Sequence, residues 1–365
     1  MIFVTSPTTV AHFVRPIAGA FLACGWSVDI VSAPGDELDG TAREIGAASH
    51  AIPLHRGFAP VAMLRALVNA TRLVRRLGPD LVISATPAAG LVGVLSGRIA
   101  GTNAKILHLA WGRRSEALRF PLKQLLEGLE AATVAFADAT LANSESLSVA
   151  IKRSIRRRAS VTVLGEGSSH GVDLSRFRYE PPKPRVRPVI GFVGRVRRDK
   201  GVIELLEALE LLTQRGCAFE ARIFGKIEEP DLAPRIAVTP RTSYMSFASD
   251  MPEVMMDLDV LCLPSWREGF PNVVLEAGAA GRPVVTTTAT GAIDSVVDGV
   301  TGLLVPPRDS YALADALERL LLSPELRTTM GESGRKRVEA AFEQSVVCLR
   351  LVDFAVDLCG LERTR

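Results

Sequence analysis

The sequence predicts an α/β protein with two doubly wound, Rossmann-like parallel-sheet domains. Short apolar runs alternate along the whole chain with longer amphipathic or small-residue stretches, which is typical of strands alternating with helices. The length of 365 residues favours more than one domain. A proline-rich, charged segment, Glu180–Pro188, interrupts the pattern near the middle and predicts an exposed, semi-rigid linker. We therefore predict domains at 1–180 and 181–345, followed by a C-terminal helix in 346–365.

The first half predicts strands and helices in alternation. The predicted strands are Met1–Val10, Ser27–Ser32, Ala51–Leu54, Asp80–Ala85, Lys105–Ala110 and Ala139–Asn143. The predicted helices are Phe13–Cys24, Val61–Leu77, Pro87–Ala100 and Leu122–Phe136. The turn after the first strand is Ser6-Pro7-Thr8-Thr9, without the glycines of a dinucleotide-binding turn, which argues against dinucleotide binding in this half.

The second half repeats the pattern. The predicted strands are Val189–Val196, Phe219–Gly225, Tyr244–Phe247, Val260–Leu263 and Val284–Thr287. The predicted helices are Val202–Gln214, one that starts at Pro271-Asn272, Tyr311–Leu322, Pro324–Phe342 and Val346–Leu361.

The bulk composition excludes several classes of protein. No stretch approaches the roughly 18 uninterrupted apolar residues of a membrane span, and the N-terminus lacks the basic region of a signal peptide. The five cysteines are scattered without a CxxC pair, which favours neither a disulfide framework nor a zinc site. We expect a cytoplasmic protein.

The positive charge is concentrated in the first half. Residues 1–180 contain 20 basic and 14 acidic residues, whereas the remainder is mildly acidic. The excess is concentrated in Lys152, Arg153, Arg156, Arg157 and Arg158. No aromatic residue lies among them to stack on bases, so nucleic-acid binding is not expected. A solvated face and a surface that meets anionic lipid at the membrane both fit the cluster.

The stretch Pro264–Thr287 carries the strongest functional signal. It follows the apolar strand Val260–Leu263 and reads as a glycine-containing turn, a helix and another strand. The helix N-terminus then points to the carboxyl ends of the strands, where anions bind in open α/β sheets. We predict a diphosphate site formed by Gly269, Phe270, Pro271, Asn272 and Val273.

Two glutamates flank this predicted diphosphate site. Glu276 lies about one turn into the helix and could accept both hydroxyls of a ribose, because one carboxylate accepts two hydrogen bonds. Glu268, just before the helix, could reach the group that the phosphate carries.

A second anion site is predicted at Arg195 and Lys200. They belong to a basic loop between the strand Val189–Val196 and the helix Val202–Gln214. Positive charge at a helix N-terminus is unfavourable, and a bound anion would remove the conflict. Arg195 would bind it bidentately and Lys200 as a point charge.

The string EGFPNVVLEAGAAGRPVV, together with GFVGRVRRDKG, resembles the signature of the retaining glycosyltransferases of family 4. The resemblance extends through TGAIDSVVDGVTGLLVPPRDSYALADALERLL, and APGDEL, TPAAG and GSSHGVDLSRF are closest to the capsular and exopolysaccharide branch. It implies the GT-B fold, in which two domains face a central cleft and the C-terminal helix crosses back to the N-terminal domain.

The family resemblance also implies an activity and a set of site residues. A sugar would move from a nucleotide diphosphate, with a UDP-sugar as the expected donor, to a hydroxyl in the N-terminal domain. Glu268 and Glu276 would hold the donor, while Arg195 and Lys200 would clamp its diphosphate without a metal or other cofactor. The expected acceptor is a saccharide on a polyprenyl diphosphate at the inner membrane face.

Two details of the sequence bear on the catalytic residues. Many family members place a histidine where this chain has Trp111, and His108 lies three residues earlier. His108 is a candidate catalytic residue, with a core position as the alternative. Asp257-Leu258-Asp259 has the spacing of a metal-binding DxD motif, but it precedes a buried strand and is interpreted as structural.

Two other functions are compatible with the same residues. A related sugar-nucleotide epimerase or hydrolase would act on the donor without an acceptor. A noncatalytic module would bind the nucleotide sugar without turnover.

Overall fold

In the computed structural model, the chain forms two units, each with its own sheet. The structure describes residues 1–54, 59–113, 115, 121–155, 160–181, 185–246 and 250–361. Unit 1 comprises Met1–His170 and Gln344–Arg365, and unit 2 comprises Gly171–Glu343. Both sheets are parallel and doubly wound, which confirms the predicted fold class.

Seven strands form the sheet of unit 1 within its described residues, in the order β3-β2-β1-β4-β5-β6-β7. They are β1 (Ile2–Phe3), β2 (Asp29–Ser32), β3 (Ala48–Ala51), β4 (Leu81–Ala85), β5 (Lys105–Ala110), β6 (Ala139–Ala142) and β7 (Val161–Thr162). The order reverses between β1 and β4, so their carboxyl ends flank the crevice of this unit.

The helices of unit 1 cover both faces of this sheet. Within the described residues before His170, they are α1 (Pro7–Thr9), α2 (Arg15–Ala23), α3 (Asp36–Ile45), α4 (Pro60–Leu77), α5 (Pro87–Ala100), α6 (Leu122–Phe136) and α7 (Glu145–Ser154).

Helix α5 lies unusually close to the sheet because glycines form its inner face. A Cβ atom on Gly90, Gly93 or Gly97 would come within 2.9 Å of a side chain on the strands below. Because the glycines allow this close approach, most of the apolar residues of α5 are buried against the sheet and the segment is a core helix.

Two predicted strands of unit 1 differ from the structure by more than two residues at an end. The first ends at Phe3 instead of Val10, because Pro7 starts a short helix that continues into a π-helical turn at Val10–Val14. The third lies at Ala48–Ala51 instead of Ala51–Leu54. Pro53 has no N–H to donate to a neighbouring strand.

Unit 2 has a six-stranded sheet within its described residues, in the order β10-β9-β8-β11-β12-β13. Its strands are β8 (Val189–Val193), β9 (Glu220–Phe224), β10 (Thr242–Met245), β11 (Val260–Leu263), β12 (Val284–Thr287) and β13 (Gly302–Val305). Its helices are α8 (Val202–Gln214), α9 (Leu232–Val238), α10 (Met251–Asp257), α11 (Asn272–Ala279), α12 (Ser310–Leu322) and α13 (Pro324–Ala341).

The last helix, α14 (Gln344–Cys359), belongs to unit 1. It packs on α2. Cys348, Leu351, Val352 and Ala355 join the buried core on that side of the sheet.

The unit boundary lies ten residues before the predicted one, after His170 instead of residue 180. Val172 donates its N–H to the carbonyl of Phe342 at 2.8 Å, and Phe177 is buried in the core of unit 2. The described ends of the predicted linker are also fixed within this unit. Arg282 donates to the carbonyl of Glu180 at 2.9 Å, and Arg185 pairs with Asp257 at 2.8 Å.

Among the described residues, no helix has both the length and the hydrophobicity required to cross a membrane.

Candidate active site

The predicted donor-site residues lie around the point of unit 2 where the strand order reverses. β8 and β11 are neighbours, but the chain winds outward from them in opposite directions. The loops after these two strands, 194–201 and 264–271, therefore flank the crevice in which open α/β sheets bind ligands.

Direct contacts join the two loops. The N–H of Trp266 donates to the carbonyl of Asp199 at 3.0 Å, and Arg267 pairs with the carboxylate of Asp199 at 2.9 Å. Gly201 has a φ of +72°, and a Cβ atom there would lie 2.0 Å from the carbonyl oxygen of Pro264. Only glycine permits this approach, so the sequence fixes the spacing of the loops at this residue.

Lys200 and Glu268 meet across these loops. The Lys200 ammonium donates to Oε1 of Glu268 at 2.5 Å, and the two side chains are only 17% and 12% exposed. Oγ of Ser265 donates to the same carboxylate oxygen at 2.7 Å. The largely buried ammonium of Lys200 thus contacts the carboxylate of Glu268, which also accepts a hydrogen bond from the neutral hydroxyl of Ser265.

Arg195 lies on the loop after β8 but turns towards a different carboxylate. Its guanidinium is 3.5 Å from Oε2 of Glu228, which follows β9, and the side chain is 49% exposed. An exposed pair of this kind is worth little, so the guanidinium can exchange its partner for an anion at small cost.

The start of α11 provides backbone donors and core packing. Pro271 is the N-cap residue and has no N–H, so the N–H groups at this helix start are those of Phe270, just before the cap, and of Asn272 and Val273 in the first turn. The Phe270 ring is buried against Phe342, with ring centroids 5.5 Å apart. Gly269 is closely packed, because a Cβ on Gly291 would lie 2.2 Å from its carbonyl oxygen.

Glu276 is a partly buried carboxyl group on α11. Within the described residues its carboxylate makes no hydrogen bond or ion pair. Burial raises its pKa to about 7, and the charge of Arg176 opposes this shift only in part. An acceptor of this kind gains from hydroxyl donors supplied by a ligand.

Three further contacts of the site were not predicted from the sequence. Ser265 binds Glu268, Asp199 ties the two loops together, and Glu228 holds Arg195. Ser265 lies in the same turn as Glu268 and could have been considered from the sequence. Glu228 could not, because its position depends on β8 and β9 being neighbours.

His108 belongs to unit 1 and is not part of this cluster. It is buried on β5, where its Nδ1 lies 3.3 Å from Oγ of Ser84. Burial lowers its pKa to about 4, so the imidazole is neutral at physiological pH. Its assignment as a catalytic residue stays a prediction.

The DxD carboxylates are engaged by protein groups at the opposite, amino end of β11. Asp259 accepts the N–H of Val189 at 2.7 Å. Asp257 pairs with Arg185 at 2.8 Å.

Two residues of the basic cluster of the first half belong to the described part of the chain. Lys152 and Arg153 are exposed in the last turn of α7. Arg156, Arg157 and Arg158 lie outside the described residues.

Comparison with known proteins agrees with this architecture. The family model described as "Glycosyl transferase 4-like domain" matches residues 8–167, and "Glycosyl transferases group 1" matches residues 187–323. The structure of HepE from Anabaena in complex with UDP and glucose has a TM-score of 0.80 at 19% identity, covering 98% of each chain.

Two curated relatives align over most of the chain. The capsular polysaccharide biosynthesis glycosyltransferase CapM of Staphylococcus aureus is 33% identical over 88% of this chain and 87% of its own length. The N,N'-diacetylbacillosaminyl-diphospho-undecaprenol alpha-1,3-N-acetylgalactosaminyltransferase of Campylobacter jejuni is 21% identical over 94% of both. The paired domain matches and the extent of the CapM alignment show that the chain belongs to the group 1, family 4-like glycosyltransferases, enzymes of the GT-B fold.

Proposed function

We propose that this glycosyltransferase retains the configuration of the sugar that it transfers from a UDP-sugar to a lipid-linked saccharide. The observation that carries the donor site is the Lys200–Glu268 contact at the reversal point of the unit 2 sheet, with Glu276 on the adjoining helix. One loop pair thus presents a cation, a carboxylate and helix N–H groups.

Each group has a distinct role in the proposed reaction. Lys200 and Arg195 bind the donor diphosphate and stabilise the charge that develops on it as the sugar leaves. The first-turn N–H groups of α11 add to this stabilisation. The carboxylate of Glu276 accepts the ribose hydroxyls, and that of Glu268 contacts the sugar. These residues neutralise the leaving group, so the proposed reaction requires no metal or other cofactor.

Two similar proteins support the proposed donor and acceptor by what their names say they bind. The HepE structure contains UDP and glucose. The C. jejuni relative is named for a diphospho-undecaprenol acceptor. The retaining outcome rests on the resemblance of the Glu268–Glu276 motif to that of family 4.

A donor and acceptor screen tests the proposal. The full chain is incubated with UDP-sugars, with and without polyprenyl-diphosphate-linked saccharides, and the product linkage is read by NMR. We expect acceptor-dependent UDP release and an anomeric configuration equal to that of the donor. Consumption of the donor without an acceptor would indicate an epimerase or hydrolase, and binding without turnover a noncatalytic module.

We also propose peripheral docking on anionic membrane through Lys152, Arg153, Arg156, Arg157 and Arg158. Each exposed basic residue near such a surface contributes about 1 kcal/mol, and salt screens the attraction over about 8 Å at physiological ionic strength. Sedimentation with vesicles containing phosphatidylglycerol should therefore weaken with salt, and a variant with all five residues changed to Gln should sediment less than wild type. Equal sedimentation of the two proteins would leave the cluster as a solvated surface.

A further inference from the structure

Unit 1 contains an apolar cavity that the donor chemistry does not use. Its volume is about 180 Å³. It lies among the first turns of α5, the length of α6 and the end of α7. Its apolar walls include Leu91, Leu126, Leu129, Val134, Ile151 and Ile155.

The charged groups that line the cavity are engaged with each other. Nε of Arg113 donates to Glu130 at 3.1 Å, and Oγ of Ser115 donates to the same carboxylate at 2.8 Å. His108, at the β5 wall, is neutral and bound to Ser84. These groups leave the cavity suited to an apolar occupant.

Apolar side chains continue from the cavity to the surface. Leu122 lines the cavity and is 40% exposed, and Leu125 in the next turn of α6 is 46% exposed. Met63 lines the cavity from α4, and its neighbour Leu64 is 63% exposed. Leu122 and Leu125 lie one turn apart on α6, and large apolar residues exposed side by side mark a surface that contacts lipid or protein.

Basic residues accompany these exposed leucines. Arg65 follows Leu64, and Lys123 follows Leu122; both are exposed. Helix α4 contains four arginines and no acidic residue. An apolar face beside basic side chains is typical of helices that lie on anionic membranes.

We propose that the cavity binds the hydrocarbon chain of the acceptor lipid, which enters beside the exposed leucines of α4 and α6. This inference rests on the proposed function. A dry apolar cavity of about 150 Å³ takes up a molecule the size of benzene, so this one holds a short part of a chain and the remainder extends through the opening. Thr86 and Trp111, which follow β4 and β5, also line the cavity, which places the chain next to the crevice of unit 1.

A direct binding experiment tests the cavity without any need for turnover. Farnesyl phosphate, dodecyl phosphate and inorganic phosphate are titrated into the full chain by calorimetry, below the micelle concentration of the lipids. We expect both lipid phosphates to bind and inorganic phosphate not to compete. A preference between the two chains identifies an isoprenoid or a straight-chain lipid as the occupant.

Matched variants on α6 locate the binding site. Ala131 lines the cavity and Ala132 does not. Ala131→Phe should lower the affinity for the lipid phosphates by at least about tenfold, the effect of removing about two methylene groups from an apolar environment. Ala132→Phe should stay within about twofold. Leu126→Gln, which changes polarity at nearly constant volume, should weaken binding in the same direction if Ala131→Phe does not fold.

The outcomes separate this inference from the proposed function. Equal binding by the Ala131 and Ala132 variants, or no binding of either lipid phosphate, overturns the cavity assignment even if sugar transfer to a soluble acceptor is observed. Lipid phosphate binding that Ala131→Phe removes supports the assignment even if no transferase activity is found.

Discussion

At the scale of single residues, the proposed donor site depends on the surroundings of two carboxylates. Glu268 is held by Lys200 and Ser265, whereas Glu276 has no polar partner among the described residues. The first carboxylate lies against a cation. The second is partly protonated near neutral pH, because burial disfavours its charged form and raises its pKa to about 7. The difference between the two follows from their surroundings, since both are glutamates on one short motif.

Lys200 should be essential for turnover but not for folding. We expect Lys200→Ala to lower kcat at least about a hundredfold, which corresponds to an increase of about 2.7 kcal/mol in the activation free energy. The variant lacks the cation that would stabilise the negative charge developing on the leaving diphosphate. Arg198→Ala is the matched control, since Arg198 lies on the same loop and pairs at the surface with Glu229 and Asp231. Steady-state kinetics with unfolding curves make the test, and wild-type kcat in Lys200→Ala would refute the phosphate role.

The raised pKa of Glu276 predicts a pH-dependent stability. Its pKa is about 7 in the folded chain, against an ordinary value of 4.5, so the folded state binds its proton more tightly than the unfolded state. The contribution of Glu276 to the free energy of unfolding therefore decreases as pH rises between these values. Glu276→Gln should match wild type near about pH 4 and exceed it by on the order of 2 kcal/mol near about pH 8.

Urea unfolding at the two pH values measures this difference. The exposed Glu332→Gln should keep the wild-type pH dependence. If the free energies of unfolding of Glu276→Gln and wild type change in parallel across the range, the carboxyl group of Glu276 has no raised pKa in the folded chain.

At the scale of elements, close backbone contacts set the geometry of the site. The loops after β8 and β11 are pressed together at Gly201 and Pro264, and the loop after β12 meets Gly269 at Gly291. The helix α11 and the basic loop therefore cannot shift independently. Parallel strands make this possible, because their carboxyl ends all open on one edge of the sheet.

Gly201→Ala should separate the two loops. An alanine at this position must keep the left-handed backbone conformation, which costs about 1–2 kcal/mol. Its Cβ would also lie 2.0 Å from the carbonyl oxygen of Pro264. Gly216→Ala isolates the first effect, since Gly216 has a φ of +76° and open space around its Cβ position. We expect Gly201→Ala to be less stable than Gly216→Ala by about 1–3 kcal/mol in urea unfolding. Equal loss in both variants would mean that the loops tolerate separation.

At the scale of the whole molecule, the chain forms two units, and helix α14, which follows the second unit, packs in the first. Leu351 on α14 is buried with residues of α2 and of the unit 1 strands, although the whole of unit 2, Gly171–Glu343, intervenes in the sequence. The stability of unit 1 thus depends on a helix that follows the whole of unit 2 in the sequence.

Leu351→Ala should destabilise unit 1 specifically. Loss of a buried leucine side chain costs about 2–5 kcal/mol, whereas Leu349→Ala on the same helix should change stability by less than about 0.5 kcal/mol, because Leu349 is 45% exposed. Native-state hydrogen exchange should show faster exchange in β1, β4 and β5 while β8 and β11 keep their protection. Loss of protection in the unit 2 strands alone would contradict this placement of α14.

The sequence alone predicted the elements whose signals are local. The apolar runs Lys105–Ala110 and Val260–Leu263 and the helices Pro87–Ala100 and Val202–Gln214 have the predicted bounds, because buried parallel strands and proline or glycine boundaries are visible in the sequence. Helix α3 was missed although three acidic residues start it and Gly46 ends it. The family motif around Glu268 and Glu276 was likewise readable as a continuous string.

Tertiary structure decided the properties that depend on distant residues. Lys200 contacts Glu268, which lies 68 positions further along the chain. Val172 donates a hydrogen bond to Phe342, just after α13, and therefore belongs to unit 2. The cavity between α5, α6 and α7 is a gap between elements and has no sequence motif. A local pattern determines which backbone conformation a segment adopts, but the charge state of Glu276 and the partner of Glu268 depend on burial and proximity. Those arise only when the strand order brings separate loops to one edge of the sheet.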